Sequence, residues 1–308
     1  MDTGILLLII VALFVVILVL LRKRNNQLAN RLGVIQQVLS GKTSMRILRD
    51  EKDKDAVLDF AINDLMEALQ QTKLAAEQSE LKRRQLLSNI SHDIRTPITS
   101  IIGYIDALVE GKITDPEERE EYLRIAAEKS RELKRLTDEV FELAKIDADE
   151  MELHPERLEI NELLRSTVIG FLPCLQEVGM EVVNEIPDDR YFIYADRMSI
   201  VRILQNLIQN AIQHGKSGKV LGLRVEKHRN QVVLSIWNLG QPIPEDKINR
   251  VFERLFKTDD SRKTKNGNHG LGLSIAKRLT EKNGGTIRVE SGQNRETTFS
   301  VRFPIFVG

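Results

Sequence analysis

The chain has 308 residues with 45 basic and 45 acidic side chains, so its formal net charge is zero and no global field argues for a nucleic-acid partner. A single cysteine, Cys174, excludes both an intrachain disulfide framework and a cysteine metal cluster. The length admits two modest domains, and 42% hydrophobic content suits soluble cores plus one apolar segment.

The first element is that segment. Every residue from Ile5 to Leu21 is apolar, which with Gly4 reaches the lower limit for a bilayer-crossing helix at about 1.5 Å rise per residue. Met1-Asp2-Thr3 precede the run and Arg22-Lys23-Arg24 follow it, the reverse of a cleaved signal peptide. Residues 1–24 therefore read as one N-terminal transmembrane helix with its basic flank in the cytoplasm, in a single-pass plasma-membrane protein whose C-terminal domains are cytoplasmic. Almost nothing would be displayed outside, so an input is expected from the bilayer, from a membrane partner such as a transporter, or from the connector that follows.

That connector, residues 25–81, is polar and charge-rich, with a turn-like interruption at Ser40–Ser44. Leu58, Ile62, Leu65, Leu69, Thr72, Ala76 and Ser79 recur at alternating steps of four and three, the seam two parallel helices need. One amphipathic helix on a globular core is the alternative, but no strand pattern nearby supplies such a core.

Residues 82–149 continue the helical pattern. Leu87, Ile90, Ile94, Ile98, Ile101, Ile105 and Leu108 form a stripe, while His92 lies two residues past Ile90, about 200° round the helix, and points away from it. Gly111, Asp115 and Pro116 break the chain. A second helix then runs from Glu117 to about Ala148, with Tyr122, Ala126, Leu133, Leu136, Val140 and Leu143 on its inner face. An all-α hairpin with one apolar stripe per helix is half of a four-helix bundle, and a second copy of the chain most simply supplies the rest.

Past His154-Pro155 the texture changes, and residues 150–308 read as a separate domain. Short β-type runs at Val182-Val183, Tyr191 to Tyr194, Val220 to Val225, Val232 to Trp237, Thr286 to Glu290 and Thr298 to Phe303 alternate with helices near Asn161, Ser199 and Leu273. This pattern predicts an α+β two-layer sandwich, one sheet under one helical layer.

The chemistry concentrates at a few places. Neutral imidazole is a competent nucleophile, and an adjacent carboxylate, here Asp93, can fix the tautomer so that the other ring nitrogen attacks. Thr96 stands one turn beyond His92, and Pro97 bends the helix by removing a backbone donor. Taken alone, this reads better as a solvated histidine beside a structural kink. Asn206 and Asn210 share one helix face opposite Ile203, Leu204, Leu207, Ile208 and Ala211. Gly270 and Gly272 flank Leu271 at the start of a helix, leaving backbone N–H groups bare for phosphate oxygens. The charged stretch Lys257 to Gly270 before them has the composition of a mobile lid.

SHDIRTPITSIIGY (Ser91 to Tyr104) closely resembles the phospho-acceptor box of bacterial sensor histidine kinases. The resemblance covers roughly Lys82 to Pro304: ILQNLIQNAIQHG is similar to the family's asparagine box, WNLGQPIP and HGLGLSIAKRL to its glycine boxes, VFERLF to its phenylalanine box, and ETTFSVRFP to its closing strand. The fold this implies is a dimeric hairpin followed by the ATP-binding sandwich of the gyrase and Hsp90-type ATPases.

The resemblance also implies roles. ATP and Mg2+ would be held by Asn206, Asn210, Asn238, Gly240, Gly270, Leu271, Gly272 and Thr297, with Asn210 the metal ligand. Lys257 would reach the γ-phosphate, although a plain loop cation is its alternative. His92 would accept the phosphoryl group with Asp93 as its base, a response-regulator aspartate would then take it, and Thr96 would serve a phosphatase activity. Departures are Asn238 where many members carry aspartate, Gln213 for a frequent lysine, and Pro242 and Glu296 for glycines. They put nucleotide affinity in question and leave a rival reading: a membrane-tethered scaffold that binds ATP and transfers nothing. An ATPase of the same fold is a second rival, but it has no use for His92.

Overall fold

The computed structural model describes residues 3–39, 56–256, 270–292 and 296–306. They fall into two compact units, Met1–Gln85 and Leu86–Gly308.

In the first unit, α1 (Thr3–Leu39) is followed by the opening turns of α2 (Ala56–Val109). Among the described residues no helix is long and apolar enough to cross a membrane. The predicted span begins at Ile5, ahead of Leu7, the first side chain described, and Arg22, Lys23 and Arg24 close it. The predicted turn at Ser40–Ser44 lies outside the described residues. Of the predicted seam, Leu58, Leu65 and Leu69 are exposed and Ile62 is half-buried. Periodicity did not reveal a buried ion pair: Arg31 Nε and Nη2 donate to the two oxygens of Asp59 at 2.7 and 3.0 Å. The bidentate geometry offsets the cost of desolvating both charges.

The second unit opens with the helical hairpin. Gly111 adopts a positive φ just past α2, and Asp115 caps α3 (Pro116–Asp147), accepting from the Glu117 N–H. This helix starts one residue earlier than expected because proline, lacking an N–H, suits the first helical position. Tyr104 and Tyr122 meet edge to face across the hairpin, ring centres 5.0 Å apart. Ile90, Ala126, Leu136 and Leu143 are buried, but Leu87, Ile98 and Ile105 of the predicted stripe are exposed. One hairpin has one seam and cannot cover the whole stripe.

Packing does not pause at the predicted domain boundary at 149/150. Leu136, Leu143 and Ile146 of α3 belong to the same apolar cluster as the sandwich core. Glu142 holds Arg202 at 2.7 Å and Asp147 holds Arg254 at 2.7 Å. Burial pushes the neighbouring Glu139 carboxyl up, with Arg202 opposing and Glu142 adding to the shift.

The sandwich contains β1 (Pro155–Glu159), α4 (Ile160–Ile169), α5 (Leu172–Val178), β2 (Glu181–Glu185), β3 (Phe192–Asp196), α6 (Arg197–Gly215), β4 (Val220–His228), β5 (Gln231–Leu239), α7 (Glu245–Ile248), α8 (Gly272–Lys282), β6 (Thr286–Ser291) and β7 (Glu296–Pro304). The main sheet runs β2-β4-β5-β7-β6, antiparallel except for the parallel β2–β4 pair. A second sheet pairs β1 with β3, a strand and a pairing that the sequence reading missed, as it missed α5 and α7. Val232, Leu234 and Ile236 lie opposite Phe303, Val301 and Phe299, and this inner face packs under α6. Asn238 and Thr297 are the next pair in that register.

The N-terminus of α6, the helix that carries both asparagines, is held by Asp196. Its Oδ1 accepts the Ser199 N–H at 2.7 Å and its Oδ2 accepts the His154 N–H at 3.1 Å. Burial alone would raise this carboxyl, yet the bonds from Ser199 and His154 hold it below its ordinary value of 3.8. That contribution to stability is full above the unfolded-state value and is lost as pH falls through the lower folded one. Asp196→Ala is expected to cost about 1–2 kcal/mol at neutral pH. The difference from the parent should shrink in acid, which denaturant unfolding at two pH values checks.

Candidate active site

Two groups of side chains carry the candidate chemistry. The first is on α2. The His92 side chain is 77% exposed, and its Nδ1 lies 3.4 Å from Asp93 Oδ1, whose side chain is 24% exposed. Outward placement follows from helical spacing, since Ile90, about 200° away, is buried. Pro97 is buried inside the helix and offers no N–H to the carbonyl of Asp93. Hydroxyls back-bond along the same stretch: Thr96 Oγ1 donates to the His92 carbonyl at 3.2 Å and Ser100 Oγ to the Thr96 carbonyl at 3.1 Å. Such bonds loosen a helix locally. Ile94, on the other face, packs against the shared core and anchors the segment.

The second group sits where α6, α8, β5 and β7 converge. Asn206 and Asn210 are 6% and 9% exposed, on α6. Gly272 lies against Asn206: a Cβ there would be 3.2 Å from its Oδ1. Gly270 has φ +74°, and a Cβ would come within 2.8 Å of the Phe256 carbonyl oxygen, so a side chain is excluded twice over. The Leu255 N–H donates to the Gly270 carbonyl at 2.9 Å, which joins the flanks of residues 257–269. Lys257 and the predicted lid lie outside the described residues. Leu271 is fully buried and anchors the start of α8.

At the far end of the group, Asn238 is 1% exposed. Gly240 lets the chain pass close by it, since a Cβ there would be 2.5 Å from the His214 carbonyl oxygen and 3.1 Å from Asn238 Nδ2. Thr297, 5% exposed, shares the inner face with Asn238. Its Oγ1 is 2.8 Å from Ser291 Oγ, which in turn accepts the Ile243 N–H at 2.9 Å. Ser291 was not foreseen. It ends one strand of a hairpin whose register only the pairing of β6 with β7 defines.

A buried polar atom without a partner costs roughly 1–3 kcal/mol, so such atoms call for an explanation. Among the described residues Asn206 Nδ2 and Asn238 Oδ1 are two of them. Others occur elsewhere, Trp237 Nε1 and Ser199 Oγ included, so an orphan alone does not mark a site. The same two residues border glycines through the other ends of their amides, Asn206 Oδ1 at Gly272 and Asn238 Nδ2 at Gly240. An unpartnered donor on Asn206 suits a phosphate oxygen, and an unpartnered acceptor on Asn238 suits the exocyclic amino group of a purine. For a metal, no cluster of three His, Cys, Asp or Glu side chains exists among the described residues. The Asn210 amide oxygen nevertheless fits a hard cation whose remaining ligands are phosphate and water.

Thus Asn206 and Gly272 are neighbours, as are Asn238, Gly240 and Thr297. His92 makes its polar contact with Asp93 rather than with any member of this second group.

Comparison with known proteins gives a consistent picture. The family described as histidine kinase-, DNA gyrase B- and HSP90-like ATPase matches residues 195–306, and the His kinase A phospho-acceptor domain matches residues 82–149. Sensor histidine kinase YcbM of Bacillus subtilis (strain 168) is 34% identical over 281 residues, covering 90% of each chain. The solved structure of histidine kinase ThkA in complex with response regulator protein TrrA is 28% identical, with a TM-score of 0.59, over 75% of this chain and 66% of that one. Full-length ShkA in complex with AMPPNP is 25% identical, with a TM-score of 0.55, over 73% of this chain and 46% of that one.

Proposed function

Because the chain belongs to the sensor histidine kinases of bacterial two-component systems, whose activity is protein-histidine kinase and whose catalytic domain binds ATP, we propose that His92 is the residue phosphorylated. One observation carries the reading: a 77%-exposed imidazole whose Nδ1 faces a carboxylate at 3.4 Å. That contact leaves Nε2 with its lone pair directed outward. Nε2 attacks the γ-phosphorus of ATP, the bond to the bridging oxygen breaks to release ADP, and Asp93 takes the Nδ1 proton. Transfer of this kind depends on positioning and on charge neutralisation.

The nucleotide lies along the second group. Asn238 and Thr297 face the base, Gly240 lets the chain pass beside it, and Asn206, Gly270, Leu271 and Gly272 meet the phosphates. Asn210 would hold magnesium, which when bound supplies neutralising charge across the phosphates. Lys257, immediately after Phe256, is assigned to the γ-phosphate. The AMPPNP complex of full-length ShkA supports nucleotide binding.

The chain acts as a homodimer through residues 82–149, which the exposed Leu87, Ile98 and Ile105 support. Residues 150–308 are the catalytic domain and residues 25–81 the connector. Phosphohistidine passes to an aspartate of a cognate response regulator, a partnership supported by the ThkA–TrrA complex. Thr96, one turn from His92, positions water for dephosphorylating that regulator. Ile5 to Leu21 cross the plasma membrane, supported by side chains exposed all round the helix from Leu7 to Leu21.

Incubation of the full chain with γ-labelled ATP and magnesium tests the reading. An acid-labile, base-stable label on the protein is expected. Bound nucleotide without label would identify an ATP-binding scaffold instead.

A further inference from the structure

The base-facing end of the proposed nucleotide site can present either hydrogen-bonding polarity. Asn238 is 1% exposed, its Nδ2 is the end that Gly240 meets, and no partner among the described residues engages its Oδ1, so no hydrogen bond to the oxygen holds the amide in one orientation. An amide is acceptor at one end and donor at the other, and a half-turn about its last bond exchanges them. An aspartate at the same place could only accept.

Thr297 has the same freedom. In the contact between Thr297 Oγ1 and Ser291 Oγ either oxygen can be the donor. Ser291 Oγ accepts the Ile243 N–H and still has a lone pair and a hydrogen. If Ser291 donates to Thr297, the threonine hydrogen is free for a ligand. If Thr297 donates to Ser291, a threonine lone pair is free instead.

Adenine offers an amino donor at position 6 and an acceptor at N1. A 6-oxopurine offers the inverse, an acceptor at position 6 and a donor at N1. The first edge matches Asn238 Oδ1 with a donating Thr297, and the second matches Asn238 Nδ2 with an accepting Thr297. We propose that this pocket binds 6-oxopurine nucleotides as well as adenine nucleotides, and that Asn238 is the residue that sets this breadth. The proposal rests on the reading of the Asn238 end as the base site. A carboxylate there would face a carbonyl oxygen, an opposition that rejects the second class.

Inosine diphosphate is the direct probe, because its base differs from that of ADP only at position 6 and N1. With the full chain in detergent and magnesium, calorimetry is expected to find IDP within about tenfold of ADP. Asn238→Asp should tighten ADP, weaken IDP and widen the ratio by about a hundredfold. Asn238→Ser, whose hydroxyl also donates and accepts, should keep the ratio narrow, and provides the second measurement if the aspartate variant proves unfolded in a thermal melt. A parent that already prefers ADP as strongly as Asn238→Asp overturns the proposal and leaves the nucleotide site standing. If neither diphosphate binds the parent, the site reading fails and the proposal falls with it.

Discussion

His92→Gln is expected to reduce the phosphoryl label to background while leaving nucleotide affinity unchanged. A glutamine amide has a similar reach to imidazole, but its nitrogen lone pair is delocalised and cannot attack phosphorus. The position is 77% exposed on α2 and its polar contact is with Asp93, so the substitution should alter stability by no more than about 0.5 kcal/mol. Loss of label with intact ADP binding assigns the acceptor. Retained label would move the reaction to another residue and remove the basis for giving Asp93 its role as base. Asp93→Asn separates orientation from proton removal, because the amide can still accept from Nδ1 but does not take the proton. A fall of about 10²–10⁴ in rate is expected from the lost proton transfer, and an unchanged rate would leave Asp93 with orientation alone.

The second large effect is expected at Asn210. Asn210→Ala deletes the amide oxygen assigned to magnesium, and autophosphorylation should fall by on the order of a thousandfold. Asn210 is 9% exposed and shares a face of α6 with Asn206, whose Nδ2 has no partner among the described residues. The loss should therefore lie in phosphate handling, with the base end unaffected. Calorimetry distinguishes the two: the magnesium dependence of ADP binding should disappear, whereas adenosine affinity should hold. Unchanged magnesium dependence would place the ion on other ligands.

Several parts of this molecule were legible from local periodicity. The outward direction of His92 follows from its angle to Ile90 on one helix, and the helix joining Asn206 to Asn210 follows from their spacing beside Ile203, Leu207 and Ala211. Short apolar β-type runs marked β4, β5 and β7; the burial of β7 alternates with the pleat, whereas β5 is buried along nearly its whole length. The asparagine and glycine boxes could be recognised because each keeps its chemistry within a few consecutive residues.

What stayed hidden depends on contacts between residues far apart along the chain. Strand β1 is five residues of mixed character, PERLE, and becomes a strand only because β3 supplies its hydrogen bonds. The parallel pairing of β2 with β4 sets no local pattern that differs from an antiparallel one. Arg31 and Asp59, and likewise Ser291 and Thr297, are ordinary polar residues until folding buries them together. Sequence alone determined which residues could do this chemistry and which way His92 faces, since helix and strand geometry repeat every few residues. Tertiary structure decided which of them meet, which polar atoms are left without partners, and how far the hairpin shares its core with the sandwich, since burial and pairing are settled by distance in space.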